Sequence, residues 1–187
     1  TPIFIDVDIN TFNISTNALE KVIEIILKED KFNIKAILAV DLYGLPADYK
    51  SLKSISSKYN MVLIADAAQS FGAEYFSKKV GNIADITCVS FFPAKPLGCY
   101  GDGGAVFSNN NSFSEKVKSL RHHGKGISKY DIDYIGLNSR LDTIQAAILI
   151  AKLEEFSWEV SVRNKIAERY SNSLKNILQI PIVPDGH

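Results

Sequence analysis

Several features that mark particular classes of protein are scarce or missing in this sequence of 187 residues. Cys88 and Cys99 are the only cysteines, too few for the disulfide framework of a small secreted domain, so a reducing cytoplasm is the predicted compartment. Lys+Arg and Asp+Glu both number 21, and this zero net charge gives no excess of basic residues for a nucleic-acid-binding face. The longest apolar runs, such as Met61 to Ala65, fall far short of the roughly 20 residues of a membrane span. We therefore predict neither a nucleic-acid nor a membrane partner.

What the sequence contains is an ordinary globular composition, 46% apolar and 22% charged, at a length that can enclose a core. Its two ends are unusual. Thr1 leads almost directly into a strand-like run, with no initiator Met and no basic segment of a signal peptide. The last residues, 180–187, begin an extended-looking segment and stop. We therefore expect the chain to be truncated at both ends.

The hydrophobic pattern predicts strands that alternate with helices over the first 120 residues. The predicted strands are 3–7, 36–42, 61–65, 86–91 and 105–108, and the predicted helices are 17–28, 47–59 and about three turns around 113–120. Such alternation is typical of βα crossovers, so the predicted fold class is α/β, with a mostly parallel sheet flanked by helices.

Helix starts and a long loop complete this prediction. Asn17 and Glu20 have the spacing of a capping pair, and Ser139 and Asp142 have that of a capping box at the start of a long helix. A second helix is predicted from Ile166 to Ile177, and the polar, Gly/Tyr-rich residues 122–137 are predicted to form a loop.

Asp66 follows an apolar strand at its carboxyl end, where ligands bind in open α/β sheets. One interpretation is that Asp66 caps a following helix. The other is that its carboxylate pairs with a buried cation, such as the protonated pyridinium nitrogen of pyridoxal 5'-phosphate, whose pKa an adjacent carboxylate raises. The two interpretations stay open on the residues alone.

Lys95 lies just beyond another buried strand, between Pro93 and Pro96. Most lysines are solvated. However, the stiff apolar flanks predict a partly desolvated amine of the kind that Schiff-base chemistry uses. Ser90, five residues earlier, has a hydroxyl group that can bind a phosphate.

Other polar features are weaker. The turn Gly101-Asp102-Gly103-Gly104 matches neither a Walker A loop nor a dinucleotide-binding fingerprint. His122 and His123 are adjacent, so their side chains diverge, and no cluster of further ligands accompanies them. We predict no metal site and expect these histidines to anchor a loop.

Four segments in order resemble the DegT/DnrJ/StrS family of nucleotide-sugar aminotransferases. They are Asp66-Ala67-Ala68-Gln69-Ser70-Phe71-Gly72-Ala73, Ser90-Phe91-Phe92-Pro93-Ala94-Lys95-Pro96-Leu97-Gly98, Gly101-Asp102-Gly103-Gly104-Ala105 and Asn138-Ser139-Arg140-Leu141-Asp142. The resemblance implies the aspartate aminotransferase-like fold of pyridoxal-phosphate-dependent transferases. Residues 1–150 would then be part of its large, cofactor-binding domain, and residues 151–187 a helical connection toward a C-terminal small domain.

The resemblance also implies a role for each matching residue. Lys95 would bond covalently to pyridoxal 5'-phosphate and move the proton between substrate and cofactor carbons. Asp66 would contact the ring nitrogen, Ala68 the ring face and Gln69 the phenolic oxygen. Ser90 would bind the phosphate of the cofactor. Asn138 would bind the phosphate of the cofactor in the partner subunit. Arg140 would face the same shared site of a homodimer, where we expect it to bind an acidic group of the substrate. The alternative is a structural salt bridge of Arg140 with Asp142 or a nearby acid.

The implied reaction is transfer of an amino group from glutamate to a keto nucleotide sugar in bacterial surface-polysaccharide synthesis. The motifs look most like the branch that aminates C3 of a UDP-linked 3-oxo sugar, and the C4-specific branch is the alternative. Related sugar dehydratases have histidine at the lysine position, so Lys95 favours transamination. A pyridoxal-phosphate-fold fragment without activity of its own, or with a regulatory or purely structural role, is the remaining alternative.

Overall fold

A computed structural model of the protein describes residues 1–29, 32–128 and 130–187. Its helices are α1 (Thr16–Glu29), α2 (Tyr49–Lys58), α3 (Asn111–Leu120) and α4 (Thr143–Leu174), with a single 3₁₀ turn at Leu42–Gly44. Its strands are β1 (Ala36–Val40), β2 (Val62–Asp66), β3 (Glu74–Tyr75), β4 (Lys78–Lys79), β5 (Ile86–Ser90) and β6 (Gly104–Phe107).

The main sheet has four strands in the order β1-β2-β5-β6. Strands β1, β2 and β5 are parallel, and β6 pairs with β5 in the antiparallel direction, while β3 and β4 form a separate small hairpin. The predicted mostly parallel sheet is therefore confirmed. Because the three parallel strands run the same way, their carboxyl ends meet at one edge of the sheet.

One face of the sheet holds the core. Alternate residues of the strands, such as Ala39, Leu63 and Ala65, are buried in one cluster with apolar side chains of α1 and α2. Farther along this face, Val89 packs in a second cluster with Leu149 and Phe156 of α4. The opposite face is less covered, and Leu38 keeps 58% of its surface exposed.

The predicted first strand is wrong. Residues 1–8 form no strand: their pairing is an isolated bridge from Val7 to Ile14, and Phe4 is 90% exposed. A strand needs a neighbour for its backbone groups, and among the described residues only the short segment around Ile14 pairs with this one.

Two predicted helix starts are also wrong. Helix α1 begins at Thr16, and the Ser15 hydroxyl accepts a hydrogen bond from the Ala18 N–H, so Asn17 lies inside the helix. Helix α4 begins at Thr143 after Asp142, whose side chain makes no capping hydrogen bond. The Ser139–Asp142 capping box is therefore absent.

Helix α4 is a single helix of 32 residues, where two helices were predicted. Residues 152–165 carry mixed polar and apolar side chains with no clear periodicity, but they contain neither Gly nor Pro to end a helix. The predicted loop at 122–137 is confirmed within its described residues by the absence of any helix or named strand. Nor does any helix of the described residues combine the length and apolar character needed to cross a membrane.

Asp48 caps helix α2 and offers a stability test. Its carboxylate accepts hydrogen bonds from the Ser51 N–H at 3.2 Å and the Tyr75 hydroxyl at 2.9 Å. In the protein that contains this chain, Asp48→Ala should lower the free energy of unfolding by about 1 kcal/mol, the typical loss for an N-cap. Urea denaturation measures the change, and Asp48→Asn, which still caps, should cost much less. Equal stabilities for Asp48→Ala and the parent would contradict this assignment.

The same residue gives a pH dependence. Burial alone would raise the pKa of the Asp48 carboxyl, but the hydrogen bonds from Ser51 and Tyr75 outweigh it and lower the pKa. A depressed pKa means that the stabilisation is present above the unfolded pKa of about 3.9 and is lost as the pH falls through the folded value. The deficit of Asp48→Ala should therefore shrink below about pH 4.

Candidate active site

The carboxyl ends of β2 and β5 place two predicted site residues side by side. Asp66 ends β2 and pairs in register with Cys88, and Ser90 lies two residues farther along β5. Because side chains alternate along a strand, Asp66, Cys88 and Ser90 share one face of the sheet. Asp66 and Ser90 are half-buried, so both remain accessible to a ligand at this edge.

Asp66 does not cap a helix, because the chain continues into a turn rather than an α-helix. Its Oδ1 accepts a hydrogen bond from the Ala68 N–H at 3.1 Å, which orients the carboxylate and starts the turn. Burial raises the pKa of the Cys88 thiol, and the negative charge of Asp66 raises it further. The local electrostatics therefore favour a bound cation over an anion here.

Gln69 has a fixed side-chain orientation. Its Oε1 accepts a hydrogen bond from the Tyr43 N–H at 2.9 Å, so the amide Nε2 is left to donate. The turn that supplies this N–H is tight: Tyr43 has a φ of +58°, and a β-carbon on Gly44 would lie 3.0 Å from the Gln69 carbonyl oxygen. Glycine at position 44 therefore permits the close approach that orients Gln69.

Lys95 lies in the loop that joins β5 to β6, and the base of this loop is firmly held. The Phe91 N–H donates to the Gly103 carbonyl at 2.7 Å, and the Cys99 N–H donates to the Phe91 carbonyl at 2.8 Å. A β-carbon on Gly98 would collide with the carbonyl oxygens of Phe92 and Pro93. The fold of the loop thus depends on close backbone packing.

Helix α4 holds the same loop from outside. The Lys152 ammonium donates to the Gly98 carbonyl at 2.6 Å, and the Gln145 side-chain amide donates to the Tyr100 carbonyl at 3.1 Å. Sequence reasoning missed both residues, since a lysine and a glutamine on a long helix carry no signal of a loop contact.

The tip of the loop is more open than predicted. Phe92, Pro93 and Ala94 are exposed, and Lys95 itself is half-buried, with its N–H donating to the Phe92 carbonyl at 2.9 Å. The apolar residues before Lys95 thus face solvent, while Lys95 itself is partly shielded.

Asn138 and Arg140 lie beyond the loop at 122–137. They line a cavity of about 930 Å³ together with residues of β5, β6 and α3, among them Cys88, the register partner of Asp66. The Arg140 guanidinium lies 3.2 Å from Asn138 Oδ1 and 3.4 Å from His122 Nε2. No acidic partner of Arg140 is found within the described part of the chain, so a salt bridge to Asp142 does not explain this residue.

His122 and His123 belong to the same neighbourhood. The His123 N–H donates to the Leu137 carbonyl at 2.8 Å, and His122 forms an isolated bridge with Asn138. Desolvation lowers the pKa of His122, and the cations Lys125 and Arg140 lower it further, which favours a neutral imidazole beside Arg140. Among the described residues, no group of three or more His, Cys, Asp or Glu side chains is arranged to hold a metal.

The sequence is similar to those of known proteins. The model of the DegT/DnrJ/EryC1/StrS aminotransferase family matches residues 1–186. The UDP-2-acetamido-2-deoxy-3-oxo-D-glucuronate aminotransferase of Pseudomonas aeruginosa is 44% identical over 94% of this chain and 47% of its own.

Solved structures confirm the predicted fold. A DegT DnrJ EryC1 StrS aminotransferase from Brucella abortus superposes with a TM-score of 0.97 at 43% identity, covering 99% of this chain and 50% of that one. NtdA from Bacillus subtilis, solved with bound cofactor PMP, has a TM-score of 0.86 at 29% identity and covers 100% of this chain and 42% of its own. The chain thus spans about half the length of the relatives that it matches.

Proposed function

Because this chain belongs to the DegT/DnrJ/EryC1/StrS aminotransferase family, whose aminotransferases depend on pyridoxal 5'-phosphate, we propose that the protein that contains it transfers an amino group from glutamate to a keto nucleotide sugar. The observation that carries the proposal is that Asp66 and Ser90 end the adjacent parallel strands β2 and β5, and that Gln69 and Lys95 follow in the segments that leave this edge of the sheet.

The chemistry of these residues fits the cofactor. Asp66 offers an anionic oxygen to the protonated ring nitrogen, and the Nε2 of Gln69 can donate to the phenolic oxygen. The Ser90 oxygen accepts from the Phe92 N–H at 3.3 Å, so its hydroxyl proton can be donated to a phosphate. The ring nitrogen would thus face a negative charge, and the phenolic oxygen and the phosphate would each face a hydrogen-bond donor.

Each residue would then have a defined task. The cofactor, when bound, supplies an electron sink for the carbon that loses its proton. The Lys95 amine would carry the cofactor covalently and move that proton, and the hydrogen-bonded base of its loop would keep the amine in reach. Asp66 would hold the proton on the ring nitrogen, and Ala68, fixed by its N–H bond to Asp66, would support the ring face.

For the sugar, we propose a UDP-linked 3-oxo sugar aminated at C3, as used in bacterial surface-polysaccharide synthesis. The support is the similarity to the Pseudomonas enzyme, whose name specifies a 3-oxo glucuronate, and the C4-specific reaction is the alternative. The test is a panel of 3-keto and 4-keto nucleotide sugars assayed with glutamate and other amino donors. Faster turnover of the 4-keto sugars would contradict C3 specificity, and a donor preferred over glutamate would contradict that part of the proposal.

We also propose a homodimer with shared active sites, in which Asn138 binds the phosphate of the partner's cofactor. The support is the resemblance to the family, together with the position of Asn138 and Arg140 in an open cavity beside β5. Residues 1–150 would belong to the cofactor-binding domain and 151–187 to the connection beyond it, although α4 crosses this boundary without a break. The free thiols of Cys88 and Cys99 suit a reducing cytoplasm.

Arg140 provides a test of substrate choice. It has no acidic partner among the described residues, so its guanidinium can offer a bidentate contact to a carboxylate such as C6 of a glucuronate-type sugar. Arg140→Ala should lower kcat/KM for an acidic sugar by about 10- to 100-fold, or ~1.4–3 kcal/mol, and change little for the neutral analogue.

The Arg140 experiment needs two further variants. Arg140→Lys keeps the charge but loses the bidentate fork, and we expect an intermediate loss. Arg163→Ala, which removes a surface arginine paired with Glu159 on α4, is the matched control and should leave both sugars unaffected. Equal losses for the two sugars would assign Arg140 to the amino donor or to structure, and no loss would end the hypothesis.

A further inference from the structure

Asp41 is a fully buried acid at the carboxyl end of β1, beside the proposed cofactor site. Its side chain has 0% exposure. Oδ1 accepts hydrogen bonds from the Ala47 N–H at 2.9 Å and the Tyr49 hydroxyl at 2.7 Å, and Oδ2 accepts from the Ser70 hydroxyl at 2.6 Å. Asp41 directly follows β1, whereas Asp66 is the last residue of β2, so each acid lies at the carboxyl end of an apolar strand.

These hydrogen bonds join two segments that are distant in sequence. Ala47 and Tyr49 close the turn after β1, whereas Ser70 ends the turn after β2 that carries Asp66, Ala68 and Gln69. The backbone adds a further connection, because the Asp41 N–H donates to the Asp66 carbonyl at 3.0 Å. The Asp41 carboxylate is thus a buried side-chain link between the turn after β1 and the turn that carries the residues proposed to hold the cofactor.

A carboxylate in this position is costly. Burial raises the pKa of Asp41, although the hydrogen bonds from Ser70, Tyr49 and Ala47 oppose that effect. Well-packed apolar side chains are often as stabilising as buried charged groups, so stability alone is a weak reason for this one. What an apolar side chain would not do is fix the distance between the two turns through directed hydrogen bonds.

Gln69 is the residue that depends on that distance. Its Oε1 accepts a hydrogen bond from the Tyr43 N–H in the turn after β1. Its backbone lies in the turn after β2, directly before Ser70, which donates to Asp41. We propose that Asp41 is a positioning residue, which holds the two turns together so that Gln69 keeps its amide Nε2 directed at the phenolic oxygen of the cofactor. This inference rests on the proposed function, because it presumes that the cofactor binds at this edge.

The test compares Asp41→Asn, Ser70→Ala and Gln69→Ala in the protein that contains this chain. The main measurement is the pH midpoint of the visible absorbance of the bound cofactor, with cofactor affinity and the melting temperature of the cofactor-free protein measured alongside. A hydrogen-bond donor at the phenolic oxygen stabilises the negative charge of that oxygen once the nitrogen that bonds Lys95 to the cofactor loses its proton. Loss of this donor should therefore raise the pH midpoint of the absorbance by about one unit and weaken the affinity for the cofactor roughly 3- to 30-fold.

The distinguishing result is non-additivity. If Asp41 acts through Gln69, then adding Asp41→Asn to Gln69→Ala should not raise the midpoint further. Asp48→Ala is the matched control, because Asp48 also accepts from a tyrosine hydroxyl and a backbone N–H but makes no hydrogen bond to residues 66–70. It should lower the melting temperature without moving the midpoint.

Each outcome decides the matter. Additive shifts, or midpoints for Asp41→Asn and Ser70→Ala equal to that of the control, would overturn the inference and leave the proposed function standing. No visible absorbance in the unmodified protein would overturn the proposed function itself. If Asp41→Asn does not fold, the midpoint of Ser70→Ala replaces it in this comparison, because Ser70→Ala removes only one of the hydroxyl groups that bond Asp41.

Discussion

Replacing Lys95 with Ala is expected to abolish covalent attachment of pyridoxal 5'-phosphate and to lower the rate of amino transfer by roughly 100- to 10,000-fold or more. The lower figure reflects the loss of a positioned proton carrier alone. The covalent bond to the cofactor would be lost as well, and Lys152, which contacts the same loop, is engaged by the Gly98 carbonyl.

The attachment is measured by borohydride reduction of the protein with its cofactor, followed by peptide mapping. We expect the label on the peptide that contains Lys95 and no label in Lys95→Ala. Lys58→Ala, which removes an exposed lysine paired with Glu20, is the control and should keep both label and activity. A label on another lysine, or none in the parent protein, would refute the assignment of Lys95.

The sequence predicts this part of the site well because strand ends are local features. β2 and β5 are short, mostly apolar segments, and their observed carboxyl ends lie within one residue of the predicted ones. In a parallel sheet these ends meet at one edge, which brings Asp66 and Ser90 together once the order of the strands is known. The roles of individual residues came from the family resemblance, and they remain predictions.

Features that depend on tertiary contacts were less predictable. Residues 3–7 have the pattern of a strand, but the pattern does not say whether a neighbouring strand exists, and the structure provides only the Val7–Ile14 bridge. The Ser139–Asp142 spacing matches a capping box, yet the Ser139 N–H donates to the Arg121 carbonyl, and helix α4 starts later. The location of Arg140 in a cavity follows from that contact between distant segments, which no local pattern reveals.

The Asp66→Asn substitution separates the charge of the carboxylate from its shape. An Asn side chain has nearly the same size, and its oxygen can still accept from the Ala68 N–H, so the turn and part of the cofactor affinity should survive. An amide cannot keep the ring nitrogen protonated. We therefore expect a rate loss of at least 10- to 100-fold, since a charge-assisted hydrogen bond contributes on the order of 1.5–3 kcal/mol and the lost electron sink adds to it.

Asp85 provides a matched control for this experiment. It lies immediately before β5, near the opposite edge of the sheet, and its Oδ2 also accepts a backbone N–H, that of Leu63 at 2.8 Å. Asp85→Asn therefore makes the same chemical change at the same kind of hydrogen bond, away from the proposed cofactor. Steady-state rates and visible spectra of the two variants should differ widely, with Asp85→Asn close to the parent. If Asp66→Asn keeps its rate within about threefold of the parent, the carboxylate serves only to form the turn, and the cation that it was proposed to hold is not needed for the reaction.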